Sequence, residues 1–320
     1  MEQFFIVLEQ IGIFIILIAC GILAVKCKIL DERSLGNVSK VVMRMALPAY
    51  IFINTAEGAT KEGLFSSLAV IPIAAVLYLL LVGISFVIEK IFHLQGNRAR
   101  VFRAIVMFGN VGFMGIPLVV ALYPDTALLY ISLFTILDQA LFWTYGLSLT
   151  KPVVGPNGDP LPKQSFSPAS LKNLLSPALV AIVLATAFVL LNIHLPSVLS
   201  RSITYLGNAS MPLSLLYIGG MLTMCDVRKV LRCGELYAEI VLKMLVLPVV
   251  FYLVLHLLGI ASDMAGTIAF IAGLPAINMV AMLSKNHGSD GDYAVCAVMM
   301  TTIACLITLQ LVSLGIALIA

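Results

Sequence analysis

The sequence predicts an all-α polytopic membrane protein: ten transmembrane helices arranged as two five-helix repeats of opposite orientation. Three observations carry this. Apolar residues make up 61% of the 320 residues and charged ones only 11%, a balance that does not belong to a soluble domain. Apolar runs recur along nearly the whole chain, close to the roughly 20 residues a helix needs to cross a bilayer. Two of those runs, the fourth and the ninth, are interrupted by Gly, Asn and Pro at matching places in the two halves.

The runs fall at about 4–25, 34–56, 65–88, 102–123 and 126–149, then at 173–193, 198–224, 236–258, 262–284 and 293–318. No basic stretch precedes the first run, which is long enough to span, so it reads as a membrane helix and not as a cleavable signal. Lys and Arg separate between alternate connections. Lys26, Lys28 and Arg33 follow the first span; Lys90, Arg98, Arg100 and Arg103 follow the third. Lys151, Lys163 and Lys172 follow the fifth, Arg228, Lys229 and Arg232 the seventh, and Lys285 the ninth, whereas the opposite connections offer Lys61 and Arg201. The positive-inside rule then predicts a multi-pass protein of the cell membrane with both termini outside. The longest connection, 151–171, is rich in Pro, Gly, Asn and Ser. It reads as a cytoplasmic linker between a first repeat, 1–150, and a second, 172–320. Five spans per repeat is an odd number, so two similar repeats must lie inverted.

The repeats share punctuation in the same order. Pro72 and Gly83 of the third span match Pro248 and Gly259 of the eighth, and Leu47-Pro48 of the second matches Met211-Pro212 of the seventh. The fourth span carries Met107-Phe108-Gly109-Asn110-Val111-Gly112-Phe113-Met114-Gly115-Ile116-Pro117-Leu118, and the ninth Ala272-Gly273-Leu274-Pro275-Ala276-Ile277-Asn278. An interior proline costs a helix about 3 kcal/mol and each glycine about 1 kcal/mol relative to alanine. Such runs predict broken helices, unwound where freed backbone groups can meet a ligand, and paired breaks are the best pointer to a transporter site.

The run from Gly21-Ile22-Leu23 through Leu47-Pro48-Ala49-Tyr50-Ile51-Phe52 resembles the opening of the auxin efflux carrier family. Leu206-Gly207-Asn208-Ala209-Ser210-Met211-Pro212-Leu213-Ser214-Leu215, then Gly219 and Leu222, is similar to the family's later signature. Asn110 to Leu118 and Gly273 to Ala276 are similar to its two crossover motifs, and the short central linker resembles bacterial members. The resemblance implies a fold of the sodium/proton antiporter and bile-acid symporter type, with the fourth and ninth helices crossing at their breaks. It also implies a scaffold of spans 1, 2, 6 and 7 that forms a homodimer, and an elevator-like transport domain of spans 3–5 and 8–10. Bacterial relatives are mostly named malate, malonate or other organic-acid carriers, and plant relatives export the weak acid auxin.

Asn110 and Asn278 are the leading candidate substrate-binding residues, since an Asn amide donates to a carboxylate and also satisfies unwound backbone. Half-helix N-termini, expected to begin near Pro117 and Pro275, suit an anion. Gly112, Ile116 and Ala276 complete the expected site, on the family's crossover motifs. Asp138 lies halfway along the fifth span. A charged Asp there costs about 2.5–3.5 kcal/mol on the insertion scale, so it is read either as a proton or cation coupling site, with Gln139, or as a structural Asp hydrogen-bonded across helices. Thr301 and Thr302 hold the corresponding place in the tenth span. Glu239 and Lys243, four apart on the eighth span, read as a structural pair, with the alternative that Lys243 helps neutralise an anionic substrate. Arg44, Glu9 and the four histidines receive no chemical role, and the six cysteines show no metal or disulfide spacing.

No H-E-x-x-H, G-x-S-x-G or P-loop occurs, so hydrolase and ATP-motor readings have no support. The expected function is secondary transport of a small organic anion, a mono- or dicarboxylate or an auxin-like acid. No cofactor is expected beyond a coupling proton or sodium ion; the expected partners are substrate, lipid and a second copy, with no nucleic acid. A cation/proton antiporter of the same fold and an ion channel stay open as alternatives.

Overall fold

The computed structural model describes residues 2–58, 60–155, 159, 161, 177–224 and 232–319. Most of the predicted linker 151–171 and the basic residues Arg228 and Lys229 lie outside the described residues. Among the described residues the regular elements are helices, with no strand. In chain order these are α1 (Glu2–Lys26), α2 (Glu32–Val41), α3 (Leu47–Gly58), α4 (Lys61–Ser66), α5 (Val70–Ile91) and α6 (Gly96–Met107). Then come α7 (Ile116–Leu122), α8 (Ala127–Leu141), α9 (Leu147–Leu149), α10 (Pro177–Leu190), α11 (Ser197–Asn208) and α12 (Ser210–Leu222). The last are α13 (Gly234–Glu239), α14 (Leu247–Leu257), α15 (Ser262–Ala272), α16 (Asn278–Asn286) and α17 (Gly291–Ile319).

Among the described residues, five stretches are long and apolar enough to cross a membrane: Phe5–Lys26, Val70–Ile91, Ala127–Leu149, Gly234–Leu257 and Gly291–Ile319. Shorter apolar helices cover Val111–Leu122, Val180–Leu190 and Ser262–Ala272. The chain is a polytopic helical membrane protein. Two of the shorter helices, Val111–Leu122 and Ser262–Ala272, are short for a physical reason: the predicted fourth and ninth spans do unwind, at 108–110 and 273–277.

Among the described residues wide π turns cover Val42–Ala46, Val111–Gly115, Phe142–Gly146 and Ile240–Val246. All but Phe142–Gly146 end two residues before a proline: Pro48, Pro117 and Pro248. A helical proline lacks the N–H that would bond back four residues, and its ring presses on that carbonyl. Inserting a residue into the turn moves the carbonyls of Arg44, Phe113 and Met244 out of the way. Pro72 and Pro212 fall in the first turns of α5 and α12, where no such donor is needed, and no π turn precedes them.

The chain divides into two compact units. The first holds Met1–Pro72, Gly112–Gln139 and Leu175–Met224; the second holds Ile73–Val111, Ala140–Leu174 and Cys225–Ala320. Within the first, α1 and α12 touch backbone to backbone: a Cβ on Gly21 would strike the Leu216 carbonyl, and one on Gly219 the Ile18 carbonyl. Without a hydrophobic drive between helices in lipid, close approach at glycine is how such pairs gain contact. In the same unit a Cβ on Gly207 of α11 would lie 2.8 Å from the Tyr50 backbone of α3. The Phe52 and Phe188 rings meet edge to face at 5.3 Å, and the Thr55 and Ser132 hydroxyls, both buried, bond at 2.7 Å.

The second unit is tied at the end of α6 that carries its arginines. Arg98 pairs with Glu235 of α13 at 2.6 Å, and Arg103 with Glu89 of α5 at 2.6 Å. Arg103 also donates to the Tyr145 hydroxyl, and Arg100 to the Ser148 carbonyl. The glycine contact yields a first prediction. Gly219→Ala forces α1 and α12 apart, an overpacking cost of about 1–3 kcal/mol. The purified protein should unfold several degrees lower in a thermal melt, while Gly12→Ala, whose Cβ meets nothing within 4 Å, should not lower it. Equal melts would show that this helix pair does not hold the first unit.

Candidate functional site

The second unit contains both interruptions on one surface of backbone. α6 ends at Met107 and α15 at Ala272, and the unwound residues that follow run antiparallel, with Gly109 bridged to Ala276. The Asn110 N–H donates to the Pro275 carbonyl at 2.7 Å, and the Ile277 N–H to the Phe108 carbonyl at 3.0 Å. The Ala276 N–H donates at 3.2 Å to the Thr301 hydroxyl of α17. Composition explains the fit. A Cβ on Gly109 would lie 3.2 Å from Leu274 Cβ, so only a small residue lets the two strands close without a shift. Pro275 offers its carbonyl and has no N–H to satisfy. A Cβ on Gly273 would lie 3.1 Å from the Pro248 ring and 3.4 Å from the Met244 carbonyl, which presses the second break onto the π turn before α14. Phe108 closes the other side, its ring 5.1 Å from Phe142 and 5.9 Å from Tyr78.

Two amides are left over. Asn110 is 1% exposed, and its Nδ2, like that of Asn278, is buried with no hydrogen-bond partner among the described residues. Asn278 opens α16, whose N-cap position is Ile277 with no side-chain cap. The first N–H groups of a helix have no partner within it. The paired segments therefore hold a buried donor on the first break, Asn110, and a second, Asn278, at the uncapped positive helix end that follows the other. On α17 the Thr302 hydroxyl, next in the chain to Thr301, is likewise buried with no hydrogen-bond partner among the described residues.

Of the predicted site residues, the structure brings together Asn110, Pro275, Ala276, Asn278 and Thr301. Gly112, Ile116 and Pro117 belong to the first unit. The helix after the first break resumes at Val111, with Pro117 inside it and at the start of α7. The expected helix start near Pro117 is thus corrected: the π turn absorbs the proline, and the unwinding falls at Phe108-Gly109-Asn110. Asp138 and Gln139 also lie in the first unit, with Thr301 and Thr302 in the second. Asp138 is 3% exposed, and Gln139 Nε2 donates to its Oδ2 at 3.1 Å.

The sequence pairs Glu239 with Lys243 but does not show how deeply the fold buries them. Glu239 is fully buried and Lys243 is 1% exposed, and they face each other at 3.7 Å. Their i, i+4 spacing showed the pairing, but an apolar helix does not show which face ends up inside. Outside the membrane segments, burial lowers the His287 pKa, with Lys151 adding to the effect, while Thr150 bonds its Nδ1 at 3.0 Å. Burial raises the Asp290 carboxyl, against the pull of Arg98.

Comparison with known proteins agrees with this architecture. The family described as membrane transport protein matches residues 6–313. An uncharacterized transporter of Methanocaldococcus jannaschii is 23% identical over 312 residues, covering 95% of this chain and 97% of its own. A second uncharacterized transporter, from Methanothermobacter thermautotrophicus, is 22% identical over 305 residues, covering 95% and 96%. Both relatives are named as transporters. With nearly its whole length matched, the chain belongs to the membrane transport protein family, that of the auxin efflux carriers.

Proposed function

We propose that this protein is a secondary transporter of a small organic anion, a mono- or dicarboxylate or an auxin-like weak acid, bound at the paired breaks. The observation that carries the reading is the pair of buried, unpartnered amide donors, Asn110 Nδ2 and Asn278 Nδ2, beside the uncapped N-terminus of α16. Leaving a buried donor unmade costs about 1–3 kcal/mol, and a carboxylate relieves both at once. Donors without a carboxylate among the described break residues suit an anion better than a bare cation. Gly112, Ile116 and Pro117, which follow Asn110 in the chain on the same crossover motif, are proposed as further substrate-binding residues.

The remaining expectations extend this proposal. The protein is an elevator-type carrier of the cell membrane with both termini outside, built as two inverted repeats and paired as a homodimer. What supports the division into scaffold and transport helices is that 1–72 and 175–224 fall in one compact unit and 225–320 in the other, although 112–139 groups with the first. Charge movement through a membrane potential is worth about 2.3 kcal/mol per 100 mV, a sufficient drive without ATP. Asp138, with Gln139, is proposed to carry coupling, with Thr301 and Thr302 serving the second repeat.

Purified protein screened by thermal shift against malonate, malate and indole-3-acetate should show a stabilising ligand. Asn110→Ala should weaken that ligand by about 10- to 100-fold, the worth of one hydrogen bond to a charged group; unchanged affinity would remove the break from the binding site. For Asp138→Asn, uptake into proteoliposomes should lose its dependence on pH or sodium. Retention of both rate and dependence would assign that carboxyl a structural role.

A further inference from the structure

The strongest unused feature is the Glu239–Lys243 pair at the π turn before α14. Both side chains are out of contact with solvent, yet their nearest atoms stand 3.7 Å apart. Neither Glu239 oxygen nor Lys243 Nζ has a hydrogen bond among the described residues. Two buried charges hold their desolvation cost only when geometry and further hydrogen bonds are good, and here the hydrogen bonds are missing. The pair also borders the site: Met244, the next residue, lays its carbonyl against Gly273 of the second break. The groups that face it are few. α17 contributes the Cys305 thiol toward Lys243 and the Tyr293 hydroxyl toward Glu239, and their own helix contributes Glu235, which Arg98 neutralises. The titratable side chain of α15, Asp263, lies in its opposite, first turn.

Resting on the carrier reading above, we propose that Glu239 and Lys243 form a proton-binding site coupled to the anion at the adjacent break. As carboxylate and ammonium the pair is neutral overall. One proton taken from water converts the carboxylate to the acid, leaving a single positive charge on Lys243 beside an arriving anion. The anion favours that protonated form, since an opposite charge nearby stabilises the cationic state. By reciprocity the protonated pair binds the anion more tightly.

Two measurements test this. Infrared difference spectra of the reconstituted protein, titrated with pH and without any ligand, should contain a carboxylic-acid C=O band that Glu239→Gln removes and Asp138→Asn leaves. A spectrum unaltered by Glu239→Gln would overturn the proposal, whatever the protein transports. In the second, malonate affinity is followed by thermal shift across roughly pH 6.5 to 9, where malonate stays ionised. One coupled proton weakens binding by about tenfold per pH unit above the titration of the pair. Glu239→Gln should flatten this slope. The charge-neutral variant Glu239→Gln with Lys243→Met guards against misfolding from a stranded charge and should be equally flat. A slope that survives in both variants would overturn the coupling. If malonate, malate and indole-3-acetate all fail to bind the wild type, the carrier reading fails, and the infrared band still decides whether the pair takes up a proton.

Discussion

The constraint on which the rest depends is that backbone polar groups in a bilayer have no water to turn to. A helix meets it with its own bonds; at 108–110 and 273–277 those bonds stop. The two interruptions answer one another instead, through the Asn110-to-Pro275 and Ile277-to-Phe108 bonds, with the Thr301 hydroxyl taking the Ala276 N–H. Neither break is explicable alone. Once paired, they leave side-chain amides as the donors still in want of a partner, and this is what makes the place chemically useful.

The prolines work at a second level. Three π turns sit immediately upstream of prolines, so a residue type expected to break helices widens them instead. The turn before Pro248 carries two consequences. It sets the Met244 carbonyl against Gly273, and it places Lys243 and Glu239 inside the protein. A structural accommodation on one helix thus brings a buried ion pair up to the unwound segment of another.

Much of this was legible in the sequence. Apolar runs separated by basic and non-basic connections located the long helices, and the clustering of Gly, Asn and Pro located both breaks. What the chain did not disclose was register. Pro117 drew attention to itself, yet the unwinding falls earlier, because a π turn can absorb a proline and that depends on how neighbours pack. Nor could composition show that the Glu235 carboxylate meets Arg98 across distant helices. The inward face of the Glu239–Lys243 pair was equally hidden, since apolar residues surround it on every side of its helix and no periodic stripe marks the interior.

The most direct test of the central claim reads the two amides themselves. Selective 15N labelling of asparagine, with Asn110→Asp and Asn278→Asp used for assignment, allows solid-state NMR of both side-chain NH2 groups in lipid. On addition of a carboxylate that stabilises the protein, both signals should shift together and saturate with its affinity. A carboxylate that binds and leaves both signals in place would contradict the account, because the anion would then be held somewhere other than the paired breaks.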